Sequence, residues 1–233
     1  SEFELTPYLK EGENKLAAQV FKWTSSSWCE DQDFFRFSGI YRDVYLYAIP
    51  EVHVSDVKIQ TLLDDTFTKA DLVIDTKATK AGKVKITLSK DGEELQSVEE
   101  TLEEESQYVM KVENPELWSA ESPVLYDLLL EVMDENGQVT EVIPQRVGFR
   151  RFEMKDSIMM LNGKRIVFKG VNRHEFSSVS GRVVSREELI KDLVTMKQNN
   201  INAIRTCHYP DAVGIYELCD EYGIYMIAEC NME

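Results

Sequence analysis

Between residues 52 and 150, short runs of alternating apolar and polar residues succeed one another, and this pattern limits the available folds more than any other. Val84-Lys-Ile-Thr-Leu88 is typical: a period of two places every second side chain on one face, as a half-buried strand requires. Comparable runs lie at 52–62, 69–79, 82–89, 94–102, 106–112, 125–133 and 140–150. Turn residues divide them, among them Asp64-Asp65, Lys90-Asp-Gly92 and Asp134-Glu-Asn-Gly137. Seven short strands in about a hundred residues predict an immunoglobulin-like β-sandwich. The segment holds no cysteine, so no disulfide ties its sheets, and its polar residues form no convergent cluster. A spacer role suits it best.

The flanks read differently. Before residue 51, the stretches 15–22 and 42–49 are strand-like, and between them lies Trp28-Cys-Glu-Asp-Gln-Asp-Phe-Phe-Arg-Phe-Ser-Gly39, acidic and aromatic together. Two or three strands do not make a stable sheet domain alone, so this part either packs on the neighbouring sandwich or belongs to a domain that begins upstream. After residue 150 the period changes. A β-branched run, Ile166-Val-Phe168, predicts a buried strand over 165–169, with Gly170 turning the chain. Ser185-Arg-Glu-Glu188 is a capping box opening a helix whose face is Leu189, Leu193 and Met196. A strand at 201–204 and a helix from about Asp211 to a stop at Gly223 come next, then a strand at 224–228. The order βαβαβ predicts parallel pairing with right-handed crossovers. A closed barrel needs eight such strands, so residues 151–233 read as the first third of one, and the whole chain as a fragment.

The net charge of −16 repels phosphate backbones and anionic membranes, while an uncharged sugar meets no such barrier. No apolar run approaches the roughly 20 residues of a membrane span. Cys29, Cys207, Cys219 and Cys230 show no CxxC spacing, which disfavours a structural zinc site and fits reduced thiols in the cytoplasm.

Each of the three parallel strands is expected to empty into chemistry-bearing residues: Asn172, Arg173, His174 and Glu175, then Arg205 and His208, then Glu229, Asn231 and Glu233. Neighbouring strands lie about 4.8 Å apart, so these ends share one lip, where barrel enzymes carry their active sites. Taken singly, Arg173 or Glu175 suits a structural ion pair equally well, His208 before Tyr209-Pro210 suits a turn, and Glu229 or Glu233 a solvated loop. Asp31 and Asp33 suit an exposed acidic turn, although Trp28, Phe34, Phe35 and Phe37 around them are poor surface residues. Carboxylates among aromatic rings suit sugar recognition.

Glu30-Asp-Gln-Asp33, Ser38-Gly-Ile-Tyr-Arg-Asp-Val44, the run from Glu113 to Tyr126, Val147-Gly-Phe-Arg150, Gly170-Val-Asn-Arg-His-Glu175 and Arg205 to Pro210 together resemble glycoside hydrolase family 2, its β-galactosidases in particular. The resemblance implies a mostly β chain with an α/β end. Residues 1–50 would be the end of a jelly-roll sugar-binding domain, 51–150 an immunoglobulin-like sandwich, and 151–233 the first βαβαβ of a TIM (β/α)8 barrel. It implies that Asp33 binds galactosyl hydroxyls and sodium, that His174 and His208 contact the galactosyl ring, that Arg205 holds the nucleophilic carboxylate, and that Glu233 ligates magnesium. The parent would be a homo-oligomeric, retaining β-galactosidase. A sister activity such as β-glucuronidase, or a non-catalytic sugar-binding or scaffold module, is the alternative. The family takes its acid/base and nucleophile from later strands, after an Asn-Glu pair, and no Asn-Glu dipeptide occurs here. This chain alone is therefore expected to be inactive, with none of the parent's metals necessarily bound.

Overall fold

The computed structural model describes residues 2–29 and 34–230. Seven antiparallel strands fill its centre: β1 (Val54–Leu63), β2 (Lys69–Ala78), β3 (Gly82–Lys90), β4 (Glu93–Leu102), β5 (Glu105–Glu113), β6 (Tyr126–Met133) and β7 (Val139–Val147). They form two sheets, β1-β2-β5 and β4-β3-β6-β7. The alternation works as expected: Val84, Ile86 and Leu88 face inward against Leu128, Leu130 and Val132, and Leu72, Ile74 and Met110 close the core from the other sheet. Asp91 and Gly92 both take positive φ between β3 and β4, the backbone that a two-residue hairpin turn demands. The sandwich is the expected immunoglobulin-like one.

A small meander comes after it, β8 (Phe152–Lys155), β9 (Ile158–Leu161) and β10 (Lys164–Arg165), which the sequence pattern did not announce. Its turns are Asp156-Ser157 and Asn162-Gly163, all four with positive φ. Asn-Gly is the strongest short hairpin signal, and at 162–163 it marks the second of these turns.

The parallel unit is present, with one shift. Its strands are β11 (Gly170–Arg173), β12 (Ala203–Thr206) and β13 (Tyr225–Ile227), in that order, joined by α1 (Arg186–Gln198) and α2 (Val213–Tyr222). Ser185 and Glu188 form the reciprocal capping box, and Gly223 ends α2 at φ +69°. Leu189, Leu193, Ile204, Ile215, Leu218 and Ile224 make its core. The first strand starts at Gly170, not Arg165. Val167 is exposed, and the Asn202 side chain takes over the backbone of Lys169 and Val167 that a ladder would have satisfied. Gly170 is not a turn either. It lies in β11 with Ala203 so near that an added Cβ would stand 3.1 Å from the Ala203 Cβ, so its lack of a side chain serves close strand approach.

The strands expected at 15–22 and 42–49 do not form. A strand exists only where another backbone pairs its N–H and C=O groups, and no described segment runs alongside either stretch. Their apolar residues, among them Leu16, Phe21, Val44, Leu46 and Ile49, are exposed.

The sandwich and the parallel unit are locked together. Trp118, 1% exposed, donates its indole N–H to the Asp220 carbonyl at 2.8 Å and meets Tyr225 edge-on. Lys197 donates to the carbonyls of Ala120 and Gly223 at 2.6 and 3.2 Å. The expectation that the sandwich is only a spacer misses this side of it: the β5–β6 connection is a buttress under α2.

Candidate functional site

The carboxyl ends of β11, β12 and β13 converge, as the register of the parallel pairs requires: Asn172 lies opposite Arg205, and Arg205 opposite Ile227. Arg205 is thus within β12 rather than beyond it. Its Nε donates to Glu229, and its terminal nitrogens stand 3.4 Å from Asn172 Oδ1 and His208 Nδ1. Glu229 is not a solvated loop carboxylate. It also meets His208 Nδ1 at 3.2 Å, and its own N–H donates to the Thr206 hydroxyl. His174 stands edge-on to His208, ring centroids 5.5 Å apart, with its Nδ1 3.4 Å from the Tyr209 hydroxyl. His174, His208, Arg205 and Glu229 therefore form one group, and Cys207 lies buried beneath the two imidazoles. Burial raises the Cys207 thiol above its ordinary range, which favours the protonated form while no metal is bound.

Two of the expected lip residues do other work. Arg173 is 5% exposed: it holds Asp211 at 2.8 Å through one terminal nitrogen and Asp192 through Nε and the other. Glu175 is fully buried, accepts the Ala212 N–H at 2.8 Å where α2 begins, and pairs with Arg42. Of the two readings open for these residues, the structural ion pair is the one the geometry supports. A carboxylate so placed would cost several kcal/mol to leave uncompensated, and Arg42 supplies the compensation. Asp211 sits in the same network. Burial first, and then the Glu175 charge, raise its carboxyl to about 6.

Phe34 stacks flat on His174, centroids 4.4 Å apart and planes within 7°. Arg182, which no sequence signal distinguished, spreads over Tyr209 at 4.0 Å, Tyr41 at 4.9 Å and Phe34 at 5.5 Å. Residues 34–42 thus reach over the barrel lip and bring aromatic faces to it. Phe34, Phe35, Phe37 and Tyr41 line an open cleft of about 490 Å³ with Trp23, Arg182, Tyr209 and Pro210. Aromatic walls with a few placed polar groups are how apolar sugar faces and hydroxyls are met together. Trp28, by contrast, is 89% exposed and does not line the cleft. Asp31, Asp33, Asn231 and Glu233 lie outside the described residues.

Three family profiles, placed end to end, match the chain. Residues 1–50 match the sugar binding domain of glycosyl hydrolases family 2, residues 52–150 the profile described simply as glycosyl hydrolases family 2, and residues 152–233 the family's TIM barrel domain. The chain belongs to glycosyl hydrolase family 2. Its curated relatives include beta-galactosidases. Those of Halalkalibacterium halodurans and Clostridium acetobutylicum are 50% and 51% identical over the whole chain, which corresponds to 24% and 26% of their length. The chain thus spans about a quarter of these relatives. Among solved structures, the apo form of Bacteroides uniformis beta-glucuronidase 3 superposes with a TM-score of 0.79 at 30% identity, covering 87% of this chain and 26% of that one. A beta-glycosidase from Bacteroides vulgatus gives 0.75 at 30%, covering 83% and 26%. The fold is therefore the family's: mostly β, with a sugar-binding segment, an immunoglobulin-like sandwich and the start of a TIM barrel.

Proposed function

We propose that this chain is a portion of a retaining β-galactosidase that hydrolyses terminal β-D-galactosides. One observation carries the reading: half of all residues, across all three parts of the chain, are identical to those of beta-galactosidases. The sugar subsite would be formed by His174 and His208, with Phe34 behind His174. Contacts of this kind, aimed at a ring that flattens towards an oxocarbenium ion, act chiefly in the transition state. Arg205 would orient the nucleophilic carboxylate supplied by the rest of the enzyme, since Glu229 engages mainly its Nε. Asp33 would bind a galactosyl hydroxyl and sodium, and Glu233 would ligate magnesium. Carboxylate oxygens suit both hard cations. A homo-oligomer in the cytoplasm completes the proposal. The four free cysteines suit the compartment, and the lactobacillus and leuconostoc relatives named as large subunits support a multi-subunit assembly without saying that its subunits are alike.

Glu175 and Glu229 do not offer an alternative catalytic pair. Glu175 is buried against a backbone N–H and Arg42, and Glu229 is held by Arg205 and His208. A retaining pair needs two carboxyls about 5–5.5 Å apart facing one anomeric carbon. A second reading, β-glucuronide hydrolysis, has support from solved structures, because several of those that superpose are β-glucuronidases, at 26–30% identity. The experiment is a comparison of kcat/KM for aryl β-D-galactoside and aryl β-D-glucuronide on the intact enzyme. A preference for the galactoside of at least a hundredfold is expected, and the reverse preference would replace the first reading with the second.

A further inference from the structure

The lip of the parallel sheet also brings two imidazoles and a thiol together, a donor set of a kind that sugar recognition alone does not call for. One ligand atom each from His174, Cys207 and His208 lies within 4.8 Å of the other two. Tetrahedral zinc binds nitrogen at about 2.0–2.1 Å and sulfur at about 2.3 Å, which puts its donors roughly 3.5 Å apart. The donors stand farther apart than that, so metal binding would require the two half-buried imidazoles to turn towards the Cys207 sulfur. We propose that His174, Cys207 and His208 bind a borderline-soft divalent cation of the zinc class, with Glu229 as the outer support of His208.

Three features argue for it. Donor softness comes first: two imidazoles and a thiol select zinc or cobalt over magnesium and sodium, which require oxygen ligands. Second, Glu229 stands 3.2 Å from His208 Nδ1, nearer than the Arg205 nitrogen at 3.4 Å; where the carboxylate accepts the Nδ1 hydrogen, the Nε2 lone pair is left to the metal. Third, the site's cationic neighbour is already balanced, because Arg205 is paired with Glu229. Binding forms one sulfur–metal bond and breaks the Cys207 S–H bond, whose hydrogen now points to the Arg205 carbonyl at 3.5 Å, and the proton passes to solvent. Three protein ligands leave a fourth position open to water. The site does not rest on the galactosidase reading. Where both hold, the metal and the sugar compete for the same two histidines.

The test uses the full chain, stripped of metal by chelator and dialysis, and titrated with cobalt chloride. A thiolate-to-cobalt charge-transfer absorption should saturate at a single equivalent and disappear when zinc chloride is added. It should be lost in Cys207→Ser and persist in Cys29→Ser and Cys230→Ser, the two exposed cysteines. His174→Gln and His208→Gln should each weaken cobalt binding at least tenfold, and Glu229→Gln about 10–100-fold, the usual effect of removing such an outer partner. Circular dichroism reports folding. If Cys207→Ser does not fold, the Glu229 and His208 variants decide. Absorption that survives Cys207→Ser, absorption that vanishes in Cys230→Ser, or the absence of stoichiometric uptake would each overturn the proposal.

Discussion

At the scale of single residues, burial sorts the polar side chains of the lip into two kinds. Arg173, Glu175 and Asp211 are turned into the protein and hold it together, while His174, His208 and Arg205 remain partly exposed at the strand ends. For the second kind, His174→Ala and His208→Ala in the intact enzyme should lower kcat more than they raise KM, as expected for contacts strongest in the transition state. A rise in KM with kcat unchanged would assign these histidines to ground-state binding. For the first kind, Asp211 provides a pH signature. Its carboxyl is raised from an ordinary 3.8 to about 6, with Arg173, Arg182, Glu175 and Tyr216 around it. A raised acid binds more protons folded than unfolded, so its contribution is complete below 3.8 and is lost as pH rises through about 6. The melting temperature should therefore fall across that window, and Asp211→Asn should flatten the fall. An unchanged profile in the variant would place the titration elsewhere.

At the scale of elements, helix ends carry much of the specification. The Ser185–Glu188 capping box was legible because it is local: two side chains satisfy two backbone N–H groups within one turn. Ser185→Ala should cost about 1 kcal/mol in chemical denaturation. Gly223 carries more than a stop signal. A Cβ there would stand 2.4 Å from the Ala120 carbonyl oxygen, in a left-handed backbone that itself costs a side chain about 1–2 kcal/mol. Gly223→Ala should therefore destabilise by at least that much and loosen the contact between α2 and the β5–β6 connection. Fluorescence of the buried Trp118 would report it, and an unchanged emission maximum would show that the contact survives. The first 50 residues teach the opposite lesson. Alternation in 15–22 and 42–49 marks segments able to pair, but pairing needs a second backbone, which lies outside the reach of a local pattern.

At the scale of the whole molecule, the described residues divide into well-packed and poorly covered parts. Limited proteolysis should remove residues before about 50 first, because their backbone is exposed and carries no ladder. The sandwich should persist longest, since both its sheets contribute to one core. A resistant product confined to the parallel unit would contradict this. The exposed Phe21, Trp23, Leu46 and Tyr47 predict concentration-dependent self-association in light scattering, relieved by deleting residues 1–50. The chain by itself should show no hydrolysis of an aryl β-galactoside, because neither Glu175 nor Glu229 is placed as an acid or a nucleophile. Turnover that is lost on Glu229→Gln would sink that expectation.

The sequence by itself determined the seven strands of the sandwich, both helices with their ends, and the parallel order of the last three strands. All of these arise from side-chain periodicity and from caps and turns that act over a few residues. It also singled out His174, His208 and Arg205, because a polar cluster at each strand end is visible in one dimension. Only the tertiary structure decided which of the lip residues are held inside. Whether Arg173 finds Asp192 and Asp211, or Glu175 finds Arg42 across 133 residues, depends on packing between distant segments. It likewise decided that Phe34 lies on His174, that Arg182 joins three aromatic rings, and that Cys207 sits beneath two histidines. Hydrophobic spacing encodes which face of an element is buried, and carries no information about which distant side chain it will meet there.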